Sequence, residues 1–355
     1  MTESESPSHV LLAMSGGMDS SIAAAILMEK GWKVRGLHFL LPADRLIRKQ
    51  RLESTIRVSR YLDLPLEVMD LEKEFSELVI YPFVMSYLKG LTPNPCVACN
   101  ELVKFSFLLS SASERGYGNI ATGHYARLKK TDDGVELLRG KDRSKDQSYF
   151  LHRLDQNCLE KAVFPLGNML KEEAKALAAA MSLPVGTSRE SQEICFLSQR
   201  DYRPFVEKWS AFQIETRGDI VDEKGEVLGG HAGAHRYTIG QRKGLGIASE
   251  RPYYVKEIRP SENKVVVARR EDLYSTEVTA EGFRWIIREP HDRMMAASAQ
   301  IRYRHPAAPG RLEILSSDRV RFTFESPQWA VTPGQALVCY RDDKALGGGW
   351  IVRNS

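Results

Sequence analysis

Ser15-Gly16-Gly17-Met18-Asp19-Ser20 lies between His9-Val10-Leu11-Leu12-Ala13-Met14 and Ser21-Ile22-Ala23-Ala24-Ala25-Ile26-Leu27-Met28. The run before it is uninterrupted and leucine-rich, the pattern of a short buried strand. The run after it is alanine-rich and predicts a helix. A strand, a tight glycine turn and a helix together point free backbone N–H groups and a helix N-terminus at an anion. Gly16 and Gly17 let the backbone approach a phosphate where a β-carbon would collide, and Ser15 and Ser20 add hydroxyl donors. Asp19 is out of place in a simple phosphate cradle unless it holds Mg²⁺. The GxxxxGK[ST] loop is excluded, because its lysine is missing.

Working outward, Lys33–Leu40 and Pro65–Asp70 read as further strands and residues 45–62 as a basic helix. This βαβαβ rhythm predicts an α/β fold with a doubly wound parallel sheet, binding its ligand at the carboxyl ends of the strands. Residues 72–89 look helical around Pro82. The prolines of Thr92-Pro93-Asn94-Pro95-Cys96-Val97-Ala98-Cys99-Asn100 predict a stiff extended loop that joins no helix. A helix over 101–115, a short strand over 119–122, a hairpin turning at 131–134 and an amphipathic helix over 170–182 follow. Beyond residue 209 the texture becomes glycine-rich and β-like. The expected division is a catalytic domain over 1–209, a small β domain over 210–275 and a β-barrel over 276–355.

Composition narrows the class. The chain has 355 residues, 43% hydrophobic and 27% charged, with a net charge of +4. That describes an ordinary globular protein, with a mild hint of a polyanionic partner. No apolar run is long enough to span a membrane, and the polar, acidic residues 1–8 do not resemble a signal peptide, so a cytoplasmic setting is expected. In that setting the five cysteines stay reduced. Cys158 and Cys339 read as buried small hydrophobes. Cys96, Cys99 and Cys195 fall on polar or turn-rich segments, and a closed zinc site lacks its four ligands.

The glycine stretch resembles the SGGxDS loop of the PP-loop ATP pyrophosphatases. Thr92–Asn100 (TPNPCVACN), Thr122–Ala126 (TGHYA), Lys145–Leu151 (KDQSYFL), Glu193–Phe196 (EICF), Gly218–Gly246, Ile301–Arg304 (IRYR) and Pro333–Tyr340 (PGQALVCY) extend the likeness over nearly the whole chain. In this order they resemble the bacterial tRNA-specific 2-thiouridylases. The resemblance implies ATP-dependent replacement of the C2 oxygen of the wobble uridine (position 34) by sulfur: adenylation turns that oxygen into a leaving group, and a sulfur nucleophile attacks C2. It implies an ATP site at Ala13, Met14, Ser15, Gly16, Gly17, Met18, Asp19, Ser20, Phe39 and Gly123, with Mg²⁺. Cys99 is implied as the catalytic cysteine, and Cys195 as the bearer of a persulfide that Cys99 releases through a transient disulfide. Target-base contacts fall on Asn94, Pro95 and Cys96. Contacts to tRNA fall on His124, Lys145, Asp146, Gln147, Arg302, Tyr303 and Gln335. A cysteine desulfurase or persulfide relay protein would donate the sulfur.

Two departures stand out. The family commonly has an aspartate where this chain has Cys96, and an acidic loop where this chain has Leu41-Pro42-Ala43-Asp44-Arg45. Three thiolates at Cys96, Cys99 and Cys195 would suit a [4Fe–4S] cluster with one open iron, an expectation that stands beside the persulfide relay. Phosphate-holding charge is expected from Arg236, Arg242, Lys243, Arg302 and Arg304. The competing readings are a PP-loop synthetase that amidates a small metabolite, and a non-catalytic iron–sulfur or RNA-binding protein. Neither explains both the intact glycine loop and the RNA-facing β domains.

Overall fold

The computed structural model describes residues 8–185, 194–197, 201–210 and 217–353. Glu193 of the EICF motif and the polar run 188–193 lie outside the described residues.

Four parallel strands, β1 (His9–Ala13), β2 (Lys33–Leu40), β3 (Leu66–Asp70) and β4 (Asn119–Ala121), with the two-residue strand Ala162–Val163, form a sheet in the order β3-β2-β1-β4 and then Ala162–Val163. The chain reverses its direction of winding between β1 and β4. In an open parallel sheet, that switch point is where the loops at the carboxyl ends part and leave a crevice. Both the glycine loop after β1 and Gly123 after β4 open there. Helix α1 (Met18–Glu29) is apolar on every side because it is covered on two. Ala23, Ala24 and Leu27 pack on the sheet, while Ile22, Ala25 and Ile26 meet Ala174 and Ala178 of the helix Lys171–Ala180. Helix α2 (Arg45–Tyr61) begins at Asp44, whose side chain accepts from Leu46 N, and lies beside β2.

The proline-rich stretch departs from expectation. Pro95–Ala98 is helical and Cys99–Phe105 continues it as a π-helix. The physical reason is position: Pro95 is at the first helical residue, where its missing N–H has no partner to lose, and Asn94 caps the turn by accepting from Cys96 N at 3.2 Å. A second π-helical segment, Ser76–Ile80, precedes Pro82 and packs against the first.

A four-stranded sheet (Gly218–Val221, Val227–His231, Tyr254–Arg259, Lys264–Ala268) follows. Six antiparallel strands then form a barrel, closed by pairing between Tyr274–Trp285 and Lys344–Ile351. The hairpin Ala126–Thr131 and Gly134–Arg139 extends this barrel sheet through Leu138 and Lys344. One hydrophobic core accordingly runs from Leu11 and Leu37 through Tyr149 and Leu151 to Ala336, Val338 and Tyr340.

Candidate functional site

The glycine loop is braced from α2. Gly16 has φ of +75°, and a β-carbon there would strike the Arg51 carbonyl and come within 2.8 Å of Thr55 Oγ1. Ser54 donates to the Gly16 carbonyl at 2.8 Å. Inside the loop, Ser15 N donates to Ser20 Oγ at 3.2 Å and Ser20 Oγ to the Gly17 carbonyl at 3.0 Å. The buried His38 ring holds the Met14 carbonyl at 2.8 Å, and burial depresses its pKa, so it stays neutral. Phe39 is half-buried and packs against both the sheet core and the cluster that contains Cys99 and Cys195.

Asp19 Oδ1 accepts from Lys171 Nζ at 2.6 Å and from the Tyr125 hydroxyl at 3.0 Å. Sequence reasoning missed Lys171. A lysine opening an amphipathic helix looks solvated, yet its side chain is only 5% exposed because Asp19 draws it inward. A carboxylate has about four lone-pair sites, and Mg²⁺ is commonly held by one or two carboxylates together with substrate phosphates, so Asp19 fits a magnesium ion while keeping Lys171. Gly123 closes the crevice opposite: a β-carbon there would lie 2.8 Å from the Asp19 main chain.

Beside Gly123 the crevice opens onto sulfur. Cys96, Cys99 and Cys195 are free thiols within electrostatic reach of one another. Burial pushes Cys96 up to about 11 and Cys99 up to about 12; Cys195 adds to both and Cys96 to Cys99, while the Lys104 ammonium pulls both the other way. His124 packs against Phe105 and Phe164 (centroids 5.6 and 6.1 Å) and its Nδ1 meets Thr122 Oγ1 at 2.7 Å. Burial, then Lys104, pushes it down to about 3. It is a neutral imidazole and not a cation for phosphate. Among the described residues no group of three Cys, His, Asp or Glu side chains is arranged to hold a metal ion. Nothing in this arrangement supports the iron–sulfur expectation, and the charged neighbour that the three thiols share is the Lys104 ammonium.

The barrel supplies the far wall. Gln335 Nε2 donates to the Thr92 carbonyl at 2.8 Å, and Thr92 N donates to the Pro333 carbonyl at 2.9 Å. Tyr303 lies over Phe150, centroids 4.2 Å apart, with the Arg304 guanidinium 5.6 Å from the tyrosine ring. Of the other expected RNA contacts, Arg302 donates to the Trp329 and Ala330 carbonyls at 3.1 and 3.3 Å. Asp146 accepts from Gly140 N at 2.9 Å and from Ser148 N at 3.0 Å, Gln147 holds Tyr125 N at 2.9 Å, and Lys145 is half-buried beside them. Arg236 is paired with Glu207 at 2.6 Å, whereas Arg242, Lys243 and Arg304 are exposed.

Residues 8–199 match the family model described as tRNA methyl transferase HUP domain, 205–269 the tRNA methyl transferase PRC-barrel domain, and 275–351 the aminomethyltransferase beta-barrel domain. Among curated relatives, the tRNA-specific 2-thiouridylase MnmA of Syntrophotalea carbinolica is 44% identical over 98% of this chain and 99% of its own length. Those of Geotalea uraniireducens (44%, over 99% and 96%) and Acidithiobacillus ferrooxidans (40%, over 96% and 97%) are similar throughout. Sheet order, glycine loop and trailing β domains define the class: a HUP-domain protein of the PP-loop type with a PRC-barrel domain and a closed β-barrel. Within that class, the chain belongs to the tRNA-specific 2-thiouridylase family.

Proposed function

We propose that this chain is a tRNA-uridine 2-sulfurtransferase that uses ATP to thiolate the wobble uridine, position 34, forming AMP and pyrophosphate. The observation that carries the reading is the junction at Gly123-His124. Gly123 abuts Asp19 of the glycine loop, and His124 next to it lies within reach of Lys104 among the thiols. Nucleotide activation and sulfur chemistry thus share one crevice.

The glycine loop and the α1 N-terminus receive the β- and γ-phosphates. The C2 oxygen of uridine attacks the α-phosphorus, and pyrophosphate leaves. Asp19 is the residue that would hold Mg²⁺, which when bound neutralises phosphate charge. Cys99, protonated at rest, attacks the inner sulfur of an ionised Cys195 persulfide and gives up its proton to the departing outer sulfur. A Cys99–Cys195 disulfide forms, and the outer sulfur departs as hydrosulfide. Hydrosulfide adds to C2, loses its proton, and AMP leaves carrying the former oxygen. An external dithiol then reduces the disulfide, and a cysteine desulfurase or relay protein restores the persulfide. Cys96, pushed up to about 11, is neutral at physiological pH; it can donate a hydrogen bond to the base but cannot act as a base itself.

In this reading residues 1–209 carry catalysis in the cytoplasm. Residues 210–275 and 276–355 dock the anticodon stem-loop, whose unpaired base is splayed out at modest cost. The test is incubation with unmodified tRNA, ATP and a persulfide donor, followed by nucleoside mass spectrometry. 2-Thiouridine dependent on ATP, Cys99 and Cys195 supports the assignment. Failure of the intact protein to form it overturns the assignment.

A further inference from the structure

Lys104 and Arg51 are two cations in the crevice for which the reaction above has no role. Cys99 and Lys104 are five residues apart, and in an α-helix that spacing sets side chains about 140° apart round the axis. Cys99–Phe105 is instead a π-helix, whose i→i+5 bonding brings residues five apart onto one face. The local distortion therefore turns the Lys104 ammonium toward the thiols. Lys104 is half-buried, and among the described residues it makes no hydrogen bond or ion pair; its charged and titratable neighbours are Cys96, Cys99, Cys195, His124 and Arg51. Arg51, also half-buried, has its carbonyl against Gly16, and its guanidinium makes no ion pair or hydrogen bond among the described residues. Arg48, one turn earlier, pairs with Asp70 and Glu72. Asp19 does not neutralise either cation in this structure, since its Oδ1 is engaged by Lys171 and Tyr125.

Partly desolvated like charges without a counter-ion are costly, so a site holding two of them is completed by an anion. Building on the proposed function, we propose that Lys104 and Arg51 together seat the α-phosphoryl group of the adenylated uridine and stabilise AMP as it departs. The chemistry sets the location. Sulfur attacks, and AMP leaves from, the same carbon, so a cation beside the thiols is also beside the departing phosphate. Arg51 reaches the same point from the glycine-loop side. Both are catalytic residues in this scheme, because both touch the reacting phosphoryl group.

The experiment compares the wild type with Lys104→Met, Lys104→Arg and Arg51→Gln, using AMP as the probe. Lys104→Met and Arg51→Gln should each raise the AMP inhibition constant about tenfold or more and slow single-turnover adenylation by roughly 10²–10³, as loss of one preorganised charge does. Inhibition by pyrophosphate should be unchanged, the melting temperature should hold or rise because an uncompensated charge is removed, and Lys104→Arg should recover much of the rate. Unaltered AMP inhibition in both variants overturns the seat. So does a Lys104→Met effect confined to the alkylation rate of Cys99, which would assign the ammonium to the thiolate alone. Absence of 2-thiouridine in the wild type would instead sink the proposed function, and calorimetric AMP binding by the same variants would still decide the seat.

Discussion

Asp19 places a negative charge in a loop built to receive negative charge, and Lys171 answers it from 152 residues away. The pair changes what removal of Asp19 should do. If Asp19 were an isolated loop carboxylate, its loss would cost little stability. Here Asp19→Ala removes the carboxylate that a nearly buried ammonium contacts at 2.6 Å, and losing one side of such a pair costs about 1–3 kcal/mol. Asp19→Ala should therefore abolish pyrophosphate release in the presence of tRNA and also lower the melting temperature by several degrees. Asp19→Ala/Lys171→Met should regain much of the stability and none of the activity. Pyrophosphate release and thermal melts of the three proteins check this; normal turnover in Asp19→Ala would remove Asp19 from the nucleotide site.

At the scale of elements, β1, α1, β2, α2 and β3 were legible because their signals are local: apolar runs, an alanine-rich helix and glycine punctuation. The helix at Pro95 was not, since proline excludes a helix interior but favours a helix start, and only the Asn94 cap distinguishes the two. Cys96, Cys99 and Cys195 could be singled out in the sequence, but their relation to Lys104 could not, because it depends on a π-helical register that no residue pattern announces. Barrel closure depends on pairing between strands some seventy residues apart, and the hairpin's attachment to the barrel on pairing between Leu138 and Lys344. The segment carrying Thr92 to Cys96 is clamped by the barrel through Gln335. Gln335→Ala removes one hydrogen bond, about 1 kcal/mol, and frees the Thr92 carbonyl. Thiolation should slow several-fold with little change in melting temperature, and hydrogen exchange should quicken across residues 92–96. Unchanged exchange there would mean that Pro93 and Pro95 hold the segment unaided.

At the scale of the molecule, the core joining Leu11 to Tyr340 makes removal of the C-terminal barrel a poor test of RNA binding, because it would strip one face of the catalytic sheet's packing. Charge removal is cleaner. Arg242, Lys243 and Arg304 are exposed, so Arg242→Ala, Lys243→Ala and Arg304→Ala should weaken binding to different tRNAs alike. Each phosphate that is no longer neutralised should reduce the slope of log affinity against log salt by about 0.7–0.9. An unaltered slope in the triple variant would move the docking face elsewhere.

Two buried histidines, His124 and His152, make the whole fold sensitive to acid. Burial is the main cause for both, and it pushes each down to about 3. His152 Nε2 is buried with no partner among the described residues, and its Nδ1 meets the Tyr149 carbonyl at 2.7 Å. In the unfolded chain both rings titrate near about 6.5. Between about pH 6.5 and 3 the unfolded chain therefore binds protons that the native protein refuses. Stability must fall as pH drops through that window, by up to about 1.4 kcal/mol per pH unit for each histidine. His38, His231, His235 and His305 are depressed in the same direction. The carboxylates with lowered values, Glu67, Asp142, Glu207 and Asp343 among them, act only nearer pH 4, where their protonation removes further stability. Denaturant midpoints should consequently fall between pH 7 and pH 5, before the carboxylates contribute. His152→Gln should show a shallower decline, because a neutral amide takes up no proton. A flat profile from pH 7 to 5 would mean that these imidazoles find room for a proton in the folded state, and that the pocket around His124 is wetter than its packing against Phe105 and Phe164 implies.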